Sequence, residues 1–337
     1  MDLVLEIFDD VLLDKVWASL VPLTAVANGN STLPLVAATS KWSQLVSHLP
    51  HPPIYINDTL YNAASSSVQN VSAWPRTYVP RQILSLSVIT LLGIHVLYFL
   101  FAGLSYYFIF NHDMMRHPRF LKNQVRLEIE ASLRAFPVMT VLTLPFFQAE
   151  VMGKTKLYDS VDEYGWAYLI LSVPLYLLFT DYCIYWIHRW LHIPVIYKAL
   201  HKPHHKWIIP TPWASHAFHP VDGWAQSVPY HTFIFLFPMH RVLYLVLFVA
   251  VNFWSIFIHD SDMITGHALE NVINGPAHHT LHHIYFTVNY GQYFTWADRA
   301  GNSYRHPDSS LDPLLEVKMN ERKEREEREA AEAKKTK

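Results

Sequence analysis

The stretch that decides the fold is DYCIYWIHRWLHIPVIYKALHKPHH, residues 181–205. Its first half is apolar and aromatic without glycine, which predicts a helix, and Pro194 ends that helix because proline has no N–H to donate. His188 and His192 lie four residues apart, so both imidazoles leave the same helix face. Three further histidines follow the proline: His201, His204 and His205. A packed core seldom uses histidine in this way, whereas neutral imidazole is the commonest metal ligand.

A third histidine cluster, GPAHHTLHH at residues 275–283, extends this pattern. A helix here would present His279 and His283 on one face, with His282 beside them. The three boxes together offer eight imidazoles. Because one metal ion takes about four to six ligands, eight predict two metal ions. Imidazole suits zinc, copper, iron and nickel, and ligand type alone does not choose among them.

The distribution of the boxes argues against a structural zinc site. Such a site is closed and tetrahedral, and usually contains cysteines. Here the boxes contain no cysteine and extend from His188 to His283. We therefore favour a dinuclear, redox-active iron site.

Composition indicates a membrane protein. The 337 residues are 51% hydrophobic and only 16% charged, against about 25% charged in ordinary soluble domains. A net charge of −2 gives no argument for a nucleic-acid partner. The single cysteine, Cys183, excludes an internal disulfide and fits a reducing compartment. The N-terminus lacks the basic region and cleavage site of a signal peptide.

The apolar run Ile83–Phe110 exceeds the roughly 20 residues needed to span a bilayer. The segment after it carries four basic residues: Arg116, Arg119, Lys122 and Arg126. An excess of lysine and arginine beside a span marks the cytosolic side. We therefore expect the chain before the span to be lumenal and the chain after it to be cytosolic.

Three further apolar runs suggest hairpins. Residues 136–149 and 166–180 are each short for a full span and contain proline, so we expect a hairpin of tilted or half-inserted helices. The chain would return to the cytosolic face at Asp181, which places the metal site at the bilayer surface. The run 233–258 also favours a hairpin, because a central Arg241 would cost about 2.5–3.5 kcal/mol in one straight span.

Both ends of the chain carry weaker signals. Residues 1–80 form a lead-in that is either lumenal or interfacial, with three glycosylation sequons at Asn30, Asn57 and Asn70; a cytosolic amphipathic helix is the alternative. Residues 316–337 form a charged tail, a solvated helix or disorder. Its ending KKTK, with Lys334 and Lys335, matches a dilysine retrieval signal of endoplasmic reticulum proteins, although a generic basic tail explains it equally well. Residues 81–315 between them would form the catalytic domain.

With the boxes HRWLH, HKPHH and HTLHH on a multi-span chain, the sequence resembles the fatty acid hydroxylase superfamily of membrane di-iron enzymes. The segments KPHHKWIIPTPWASHAFHPVDGWAQSVPYH, IHDSDM and NGPAHHTLHHIYFTVNYGQYFTWADR narrow the resemblance to fungal-type sterol C-5 desaturases (lathosterol oxidases). It covers residues 181–299.

This resemblance implies an all-α, multi-span membrane helical bundle with a cytosolic, histidine-rich di-iron cap, in the endoplasmic reticulum membrane. It also implies a reaction: a Δ7-sterol such as episterol or lathosterol becomes the 5,7-diene in ergosterol-type sterol biosynthesis. O2 is consumed, and electrons arrive from NAD(P)H through cytochrome b5 and its reductase. Such chemistry fits the residues, because an unactivated C–H bond offers no acidic proton to a base and requires a cofactor-derived oxidant.

By the same resemblance, eight histidines are the expected iron ligands: His188, His192, His201, His204, His205, His279, His282 and His283. His259 and His278 are additional candidates. No catalytic residue is expected beyond the ligands. Asp181, seven residues before His188, either orients a ligand through its second ring nitrogen or caps a helix. His216 and His219 are expected in the loop or the substrate pocket.

Two other kinds of protein remain open from the sequence. A sterol C-4 methyl oxidase or a lipid hydroxylase of the same superfamily would carry the same boxes, because hydroxylation and desaturation share the first hydrogen abstraction. A non-catalytic membrane metal binder or metal transporter is the second alternative. A transporter should place ionisable residues within several spans along a path, whereas these histidines gather near span ends.

Overall fold

Helices dominate the part of the chain that the computed structural model describes, which is residues 1–23, 41–46, 48–52 and 71–335. The α-helices are α1 (Asp2–Phe8), α2 (Asp14–Leu20), α3 (Lys41–Val46), α4 (Val79–Phe108), α5 (Gln124–Val151), α6 (Gly165–Leu191), α7 (Pro194–Ile196), α8 (Pro220–Leu236), α9 (Arg241–Phe257), α10 (Pro276–Tyr285), α11 (Trp296–Ala300) and α12 (Pro313–Lys335). The 3-10 helices are His112–Arg116, Val161–Glu163, Pro212–His216, Ala268–Asn271 and Ser309–Leu311, and Asp9–Leu13 and Tyr197–His201 are π-helical. Strands β1 (Leu157–Tyr158) and β2 (Met239–His240) form a short parallel pair.

Helices α4, α5 and α6 are long and apolar enough to cross a membrane. This confirms the helical membrane fold and the first predicted span. The prediction of short, half-inserted helices at residues 136–149 and 166–180 is wrong. At about 1.5 Å per residue, the 28 residues of α5 and the 27 of α6 exceed the ~30 Å of a bilayer core. Membrane helices tolerate proline, so Pro174 does not interrupt α6, and polar turns extend both helices beyond their apolar runs.

The described residues divide into two compact units, and the three sequons lie outside the described residues. One unit is Met1–Thr90 with Leu144–Gly153. Its core contains Leu5, Trp17, Trp74, Leu86 and Phe147. A buried ion pair, with Arg81 2.6 Å from Asp9, stabilises it. The other unit, Leu91–Thr143 with Lys154–Lys337, contains every residue of the site described below. The division at residues 80 and 315 stays a prediction.

Helices α8 and α9 form a hairpin whose break, at residues 237–240, lies where the sequence predicts it within the run 233–258. Its first arm is longer than predicted, since α8 begins at Pro220. The tip of this hairpin carries β2, which pairs with β1 in the connection between α5 and α6. Arg241 is ion-paired with Asp159 at 2.7 Å, and the Tyr168 hydroxyl donates to the carbonyl of Pro238 at 2.8 Å. The tip therefore lies near the start of α6, at the opposite end of that helix from His188. Arg241 thus lies at a helix end, with an acidic partner.

The segment between α7 and α8 is held from α4 and α5. The Tyr98 hydroxyl donates to the carbonyl of Trp213 at 2.8 Å. Gln124 Nε2 donates to the carbonyl of Ile209 at 2.8 Å, and the buried Glu128 carboxylate accepts hydrogen bonds from Thr211. The sequence predicts an ordered loop over residues 206–231. The contacts confirm this for residues 209–213, whereas the prediction is wrong for residues 220–231, which form the first part of helix α8. The same contacts fix the backbone that follows the second histidine box.

Candidate metal centre

Nine buried or half-buried histidines turn their ring nitrogens toward one another in two groups. The five-histidine group is His188, His192, His201, His205 and His282. The four-histidine group is His204, His259, His279 and His283. Within each group the candidate ligand atoms lie within 4.8 Å of one another. The groups are neighbours, since the rings of His205 and His283 are 5.0 Å apart. The site therefore unites all three boxes with one histidine from outside them.

Local structure explains how short motifs deliver these side chains. His188 lies in the last turn of α6, and His192 is the residue that caps its C-terminus. Helix α10 begins with Pro276 at its first turn, where proline fits because its missing N–H is not needed. It ends at Phe286, whose φ of 66° gives the left-handed conformation that commonly terminates helices. His279 and His283 are therefore one turn apart on one face, as predicted.

The Nε2 atoms of neighbouring histidines face each other at hydrogen-bond distance. Representative Nε2–Nε2 distances are 3.2 Å for His188–His201, 3.1 Å for His205–His282 and 2.9 Å for His259–His279. Wherever Nδ1 carries the hydrogen of the neutral ring, Nε2 presents only a lone pair. Lone pairs that face each other at about 3 Å repel, and a cation between them removes that repulsion. The donor set therefore fits two metal ions.

Hydrogen bonds to the second ring nitrogen fix five of the rings. The acceptors are Tyr290 O for His188 (3.0 Å), Ser255 O for His259 (2.6 Å), Val288 O for His282 (2.7 Å), Trp207 O for His283 (2.9 Å) and Asp222 Oδ2 for His201 (2.7 Å). Each acceptor holds the hydrogen on Nδ1 and directs Nε2 into the centre. Ligating histidines are usually oriented by such outer partners, which also raise ligand basicity.

Asp222 is the orienting carboxylate that the sequence interpretation missed, since we expected Asp181 in that role. Asp181 neither contacts a ligand nor caps a helix. It lies inside α6, and its Oδ1 accepts the backbone N–H groups of Gln292, Tyr293 and Phe294 at 2.7–3.2 Å. It thereby anchors the segment that carries the Tyr290 carbonyl. Asp222 lies 21 residues from His201, so no helical spacing connects them, and only the tertiary fold brings them together.

Burial keeps the imidazoles neutral. Desolvation, followed by the repulsion of neighbouring imidazoles, lowers the pKa of His204, His205, His279, His282 and His283 well below the ordinary value. Burial also lowers the pKa of His259 to about 4. A proton and a metal ion compete for the same lone pair. Neutral rings at physiological pH are therefore ready to bind metal.

Three other candidate histidines have different surroundings. His278 lies outside both groups, with its ring 5.8 Å from that of Tyr304, because it leaves a different face of α10. His219 caps the start of α8, where its Nδ1 accepts the Val221 N–H at 3.2 Å, and it does not line the cavity beside the site. His216 does line that cavity, and its Nδ1 is 3.0 Å from Ser215 Oγ.

A narrow cavity of about 100 Å³ opens beside the histidines. One face of α8 contributes Gly223, Gln226, Ser227 and Tyr230, and one face of α9 contributes Val251, Asn252 and Ser255. His188, His204, His259 and His279 form its metal-side wall. Because drug-sized pockets are typically about 300–1,000 Å³, this space takes only one end of a sterol-sized molecule. An apolar substrate entering here would meet the four-histidine group first.

Comparison with known proteins identifies the family. The family model described as fatty acid hydroxylase matches residues 173–303, which contain all nine histidines. The chain is 50% identical over 319 residues to a Delta(7)-sterol 5(6)-desaturase of Gibberella zeae, covering 94% of this chain and 93% of the relative. The chain belongs to the fatty acid hydroxylase family.

Other relatives in this family have related names. A Delta(7)-sterol 5(6)-desaturase of Aspergillus fumigatus is 47% identical over 337 residues, with 94% of this chain and 93% of the relative covered. The lathosterol oxidase of Homo sapiens is 51% identical over 251 residues, which is 73% of this chain and 84% of the relative. No solved structure matches the chain. The family resemblance drawn from the boxes is confirmed.

Proposed function

We propose that this protein is a membrane di-iron sterol C-5(6) desaturase, which converts a Δ7-sterol to the 5,7-diene with O2 and electrons from NAD(P)H through cytochrome b5. The observation that carries the proposal is the pair of buried histidine groups beside a cavity at the end of a membrane helix. It occurs in a chain about half identical, over nearly its whole length, to proteins named Delta(7)-sterol 5(6)-desaturases.

The reaction balances with one molecule of O2. The sterol loses one hydrogen from C5 and one from C6, and the two carbons gain a second bond. Reduction of O2 to two waters takes up these two hydrogens together with two electrons and two protons from the external donor. Bound iron supplies the O2 activation that this cleavage of unactivated C–H bonds requires.

The residues of this chain hold and shield the irons. The five-histidine group would hold one iron and the four-histidine group the other. Asp222 keeps His201 in the ligand orientation, and the Tyr290 carbonyl does the same for His188. Burial of the rings shields the bound irons from bulk water. Because the ligands are imidazoles without thiolate or methionine, oxidation of the ligand set is disfavoured.

We also propose that the protein resides in the endoplasmic reticulum membrane, with the histidine boxes and the C-terminus in the cytosol. The basic segment that follows α4 supports this orientation by the positive-inside rule. Helices α5 and α6 then return the chain to the side on which α4 ends, so the end of α6 that carries His188 faces the cytosol.

An exposed row of lysines supports docking of the electron donor. Lys198, Lys202 and Lys206 are exposed and four residues apart, and two of them directly follow the ligands His201 and His205. This positive row suits an acidic partner, since charge complementarity mainly speeds association. Replacing all three lysines with glutamate should raise the KM for cytochrome b5 and abolish the increase of that KM with salt concentration. An artificial small reductant should still support turnover.

The proposal is tested by expressing the protein in a fungal strain that lacks its own Δ7-sterol 5(6)-desaturase and by profiling the sterols. We expect 5,7-dienes from the wild type. His204→Ala should form none while remaining in the membrane at normal abundance. His267→Ala, which changes an exposed histidine outside both groups, is the matched control. Unchanged 5,7-diene formation by His204→Ala would refute the assignment.

The same profile separates the alternatives. Conversion of 4-methyl sterols in a strain lacking its 4-methyl oxidase, without 5,7-dienes, would indicate a sterol C-4 methyl oxidase. A hydroxylated lipid as the main product would indicate a hydroxylase. Absence of iron from anaerobically purified protein would favour a non-catalytic metal binder.

A further inference from the structure

A chain of hydrogen bonds connects the cavity wall to an iron-ligand candidate. Gln226 lines the cavity, and its Nε2 donates to Asp222 Oδ1 at 2.8 Å. The other carboxylate oxygen, Oδ2, accepts from His201 Nδ1 at 2.7 Å. Asp222 and His201 are fully buried, so the link is shielded from water. Only Gln226 in this chain of residues reaches the cavity.

The carboxylate determines which way the Gln226 amide points. An ionised carboxylate only accepts hydrogen bonds, so the NH₂ end of the amide faces Asp222 and Oε1 faces away from it. Among the described residues, Oε1 has no hydrogen-bond partner. Three neighbouring polar groups of the cavity donate to backbone carbonyls: Ser227 Oγ to Trp224 (2.8 Å), Ser215 Oγ to Pro212 (2.9 Å) and Asn252 Nδ2 to Phe248 (2.7 Å). Their oxygens can still accept a hydrogen bond, but Gln226 Oε1 is the acceptor whose side chain is tied directly to Asp222 and His201.

The chemistry of the reaction, as proposed above, requires a polar partner close to the histidines. Only C4 separates C5 from C3, the carbon that bears the sterol hydroxyl. When C5 and C6 face the metal side of the cavity, the hydroxyl must lie in the same end of it. A hydroxyl moved from water into an apolar site without a hydrogen bond costs about 1–3 kcal/mol in proteins. The narrow cavity, which takes one end of a sterol, places that end beside Gln226.

We infer that Gln226 Oε1 accepts a hydrogen bond from the 3-hydroxyl of the sterol, and that this bond sets which carbons face the histidine groups. Gln226 is then a specificity-determining residue for the proposed desaturation. The inference rests on that proposed function. The hydrogen bond from Gln226 Nε2 to Asp222 holds the Oε1 acceptor in place before the sterol arrives. This reduces the entropy lost when the sterol binds.

The test compares a 3-hydroxy Δ7-sterol with its 3-deoxy analogue, using the full-length wild type and Gln226→Met. Methionine keeps the length of the side chain and removes both the Oε1 acceptor and the Nε2 donor to Asp222, and the deoxy analogue measures the effect of losing that donor. The wild type should prefer the hydroxysterol by at least about tenfold in kcat/KM. Gln226→Met should lose most of that preference: breaking the bond to Asp222 lowers kcat/KM for both sterols by a common factor, and the hydroxysterol alone should show a further loss of about tenfold. Equal losses on both substrates would mean that Gln226 acts only through Asp222, and would overturn the inference.

Two further measurements keep the result interpretable. The 3-O-methyl ether retains the oxygen but has no O–H to donate, so the wild type should handle it as poorly as the deoxy analogue; turnover equal to that of the free alcohol would overturn the inference without any variant. Equilibrium binding of the three sterols by both proteins repeats the comparison without turnover. A wild type that forms no 5,7-diene refutes the proposed function, whereas a binding preference for the hydroxyl that survives in Gln226→Met refutes only the role of Gln226.

Discussion

The two histidine groups differ in exposure and in what holds them. The four-histidine group is buried throughout and contributes three of the five histidines that line the cavity; the other two are His188 of the five-histidine group and His216, which belongs to neither group. The five-histidine group includes the half-buried His192 and is the one anchored by a carboxylate, Asp222. Backbone carbonyls of Ser255 and Trp207 orient the four-histidine group instead. We infer that the four-histidine group faces the substrate, while the five-histidine group lies toward the exposed lysines.

The largest effect should come from removing His259, the member of the four-histidine group outside the sequence boxes. His259→Ala should abolish 5,7-diene formation, because the loss of one of four imidazoles lowers the affinity of this group for its ion and opens a ligand position to water. Sterol profiling and metal analysis of the purified variant are the measurements. His278→Ala, a buried histidine outside both groups, should keep activity. Normal product from His259→Ala together with loss in His278→Ala would reverse our ligand assignment.

Weakening the anchor of the five-histidine group should have an intermediate effect. Asp222→Asn preserves the shape of the side chain and removes its charge, so His201 becomes less basic and less firmly oriented. Loss of such an outer partner typically costs about 10–100-fold in metal affinity or activity. We expect a loss of this size in kcat and a lowered affinity for one iron of the two. Wild-type kcat and full iron content would contradict the distinction between the groups.

The segment that supports His188 should be sensitive to one methyl group. Asp298 accepts the N–H groups of Tyr290 and Gly291, each at 2.8 Å. A Cβ at Gly291 would lie 2.5 Å from the Phe294 carbonyl oxygen, which forces the backbone to move. Gly291→Ala should therefore lower the unfolding free energy by about 1–3 kcal/mol and reduce activity severalfold through the Tyr290 carbonyl.

Gly93→Ala is the matched control for that change, because a Cβ there meets nothing within 4 Å. Thermal unfolding in detergent and kcat, measured on both variants, check the prediction. Equal behaviour of the two alanine variants would mean that the Tyr290 carbonyl does not depend on tight packing at Gly291.

The smallest expected effect is a change in the pH dependence of stability, and it concerns His216, a buried histidine that belongs to neither group. Burial lowers the pKa of His216 to about 4, from an ordinary value near 6.5. As pH falls below about 6.5, the unfolded state takes up this proton first. The free energy of unfolding therefore falls by about 1.4 kcal/mol per pH unit between about pH 6.5 and about pH 4. Above about pH 6.5, His216 does not reduce the free energy of unfolding.

His216→Gln removes this proton uptake. Unfolding free energies of wild type and variant, measured between pH 7 and pH 5, should therefore converge or cross as pH falls, since only the wild type carries the His216 penalty. Parallel curves would show that His216 takes up its proton at the same pH in the folded and unfolded states, which contradicts a pKa lowered by burial.

The sequence predicted the placement of the paired histidines better than it predicted the ends of the long helices. Four-residue spacing on helices correctly placed His188 with His192 and His279 with His283, and the helical membrane fold followed from apolar length. The ends of α5 and α6 were misjudged because polar turns and prolines were taken as boundaries. The pattern of neighbouring residues predicts local structure. In a membrane helix, however, the surrounding lipid and packing allow the helix to continue through a single proline or a polar turn.

Asp181 and Asp222 show what the sequence could not decide. Both are aspartates near a histidine box, and each could have oriented a ligand. Their roles depend on contacts more than twenty residues away: Asp181 with the N–H groups near Tyr293, and Asp222 with His201. The spacing of residues along a helix or strand contains no information about such long-range contacts. His259 was a candidate only because it follows an apolar run, whereas its membership of the four-histidine group depends on the hairpin that returns it beside α10.

The most direct measurement of the central claim is the metal content of full-length protein purified without oxygen, combined with Mössbauer spectroscopy of the iron-57-enriched protein. We predict two irons per chain, both in nitrogen-rich ligand environments, with His259→Ala and Asp222→Asn affecting different irons. A single zinc ion per chain, or one iron lost equally in both variants, would contradict the account.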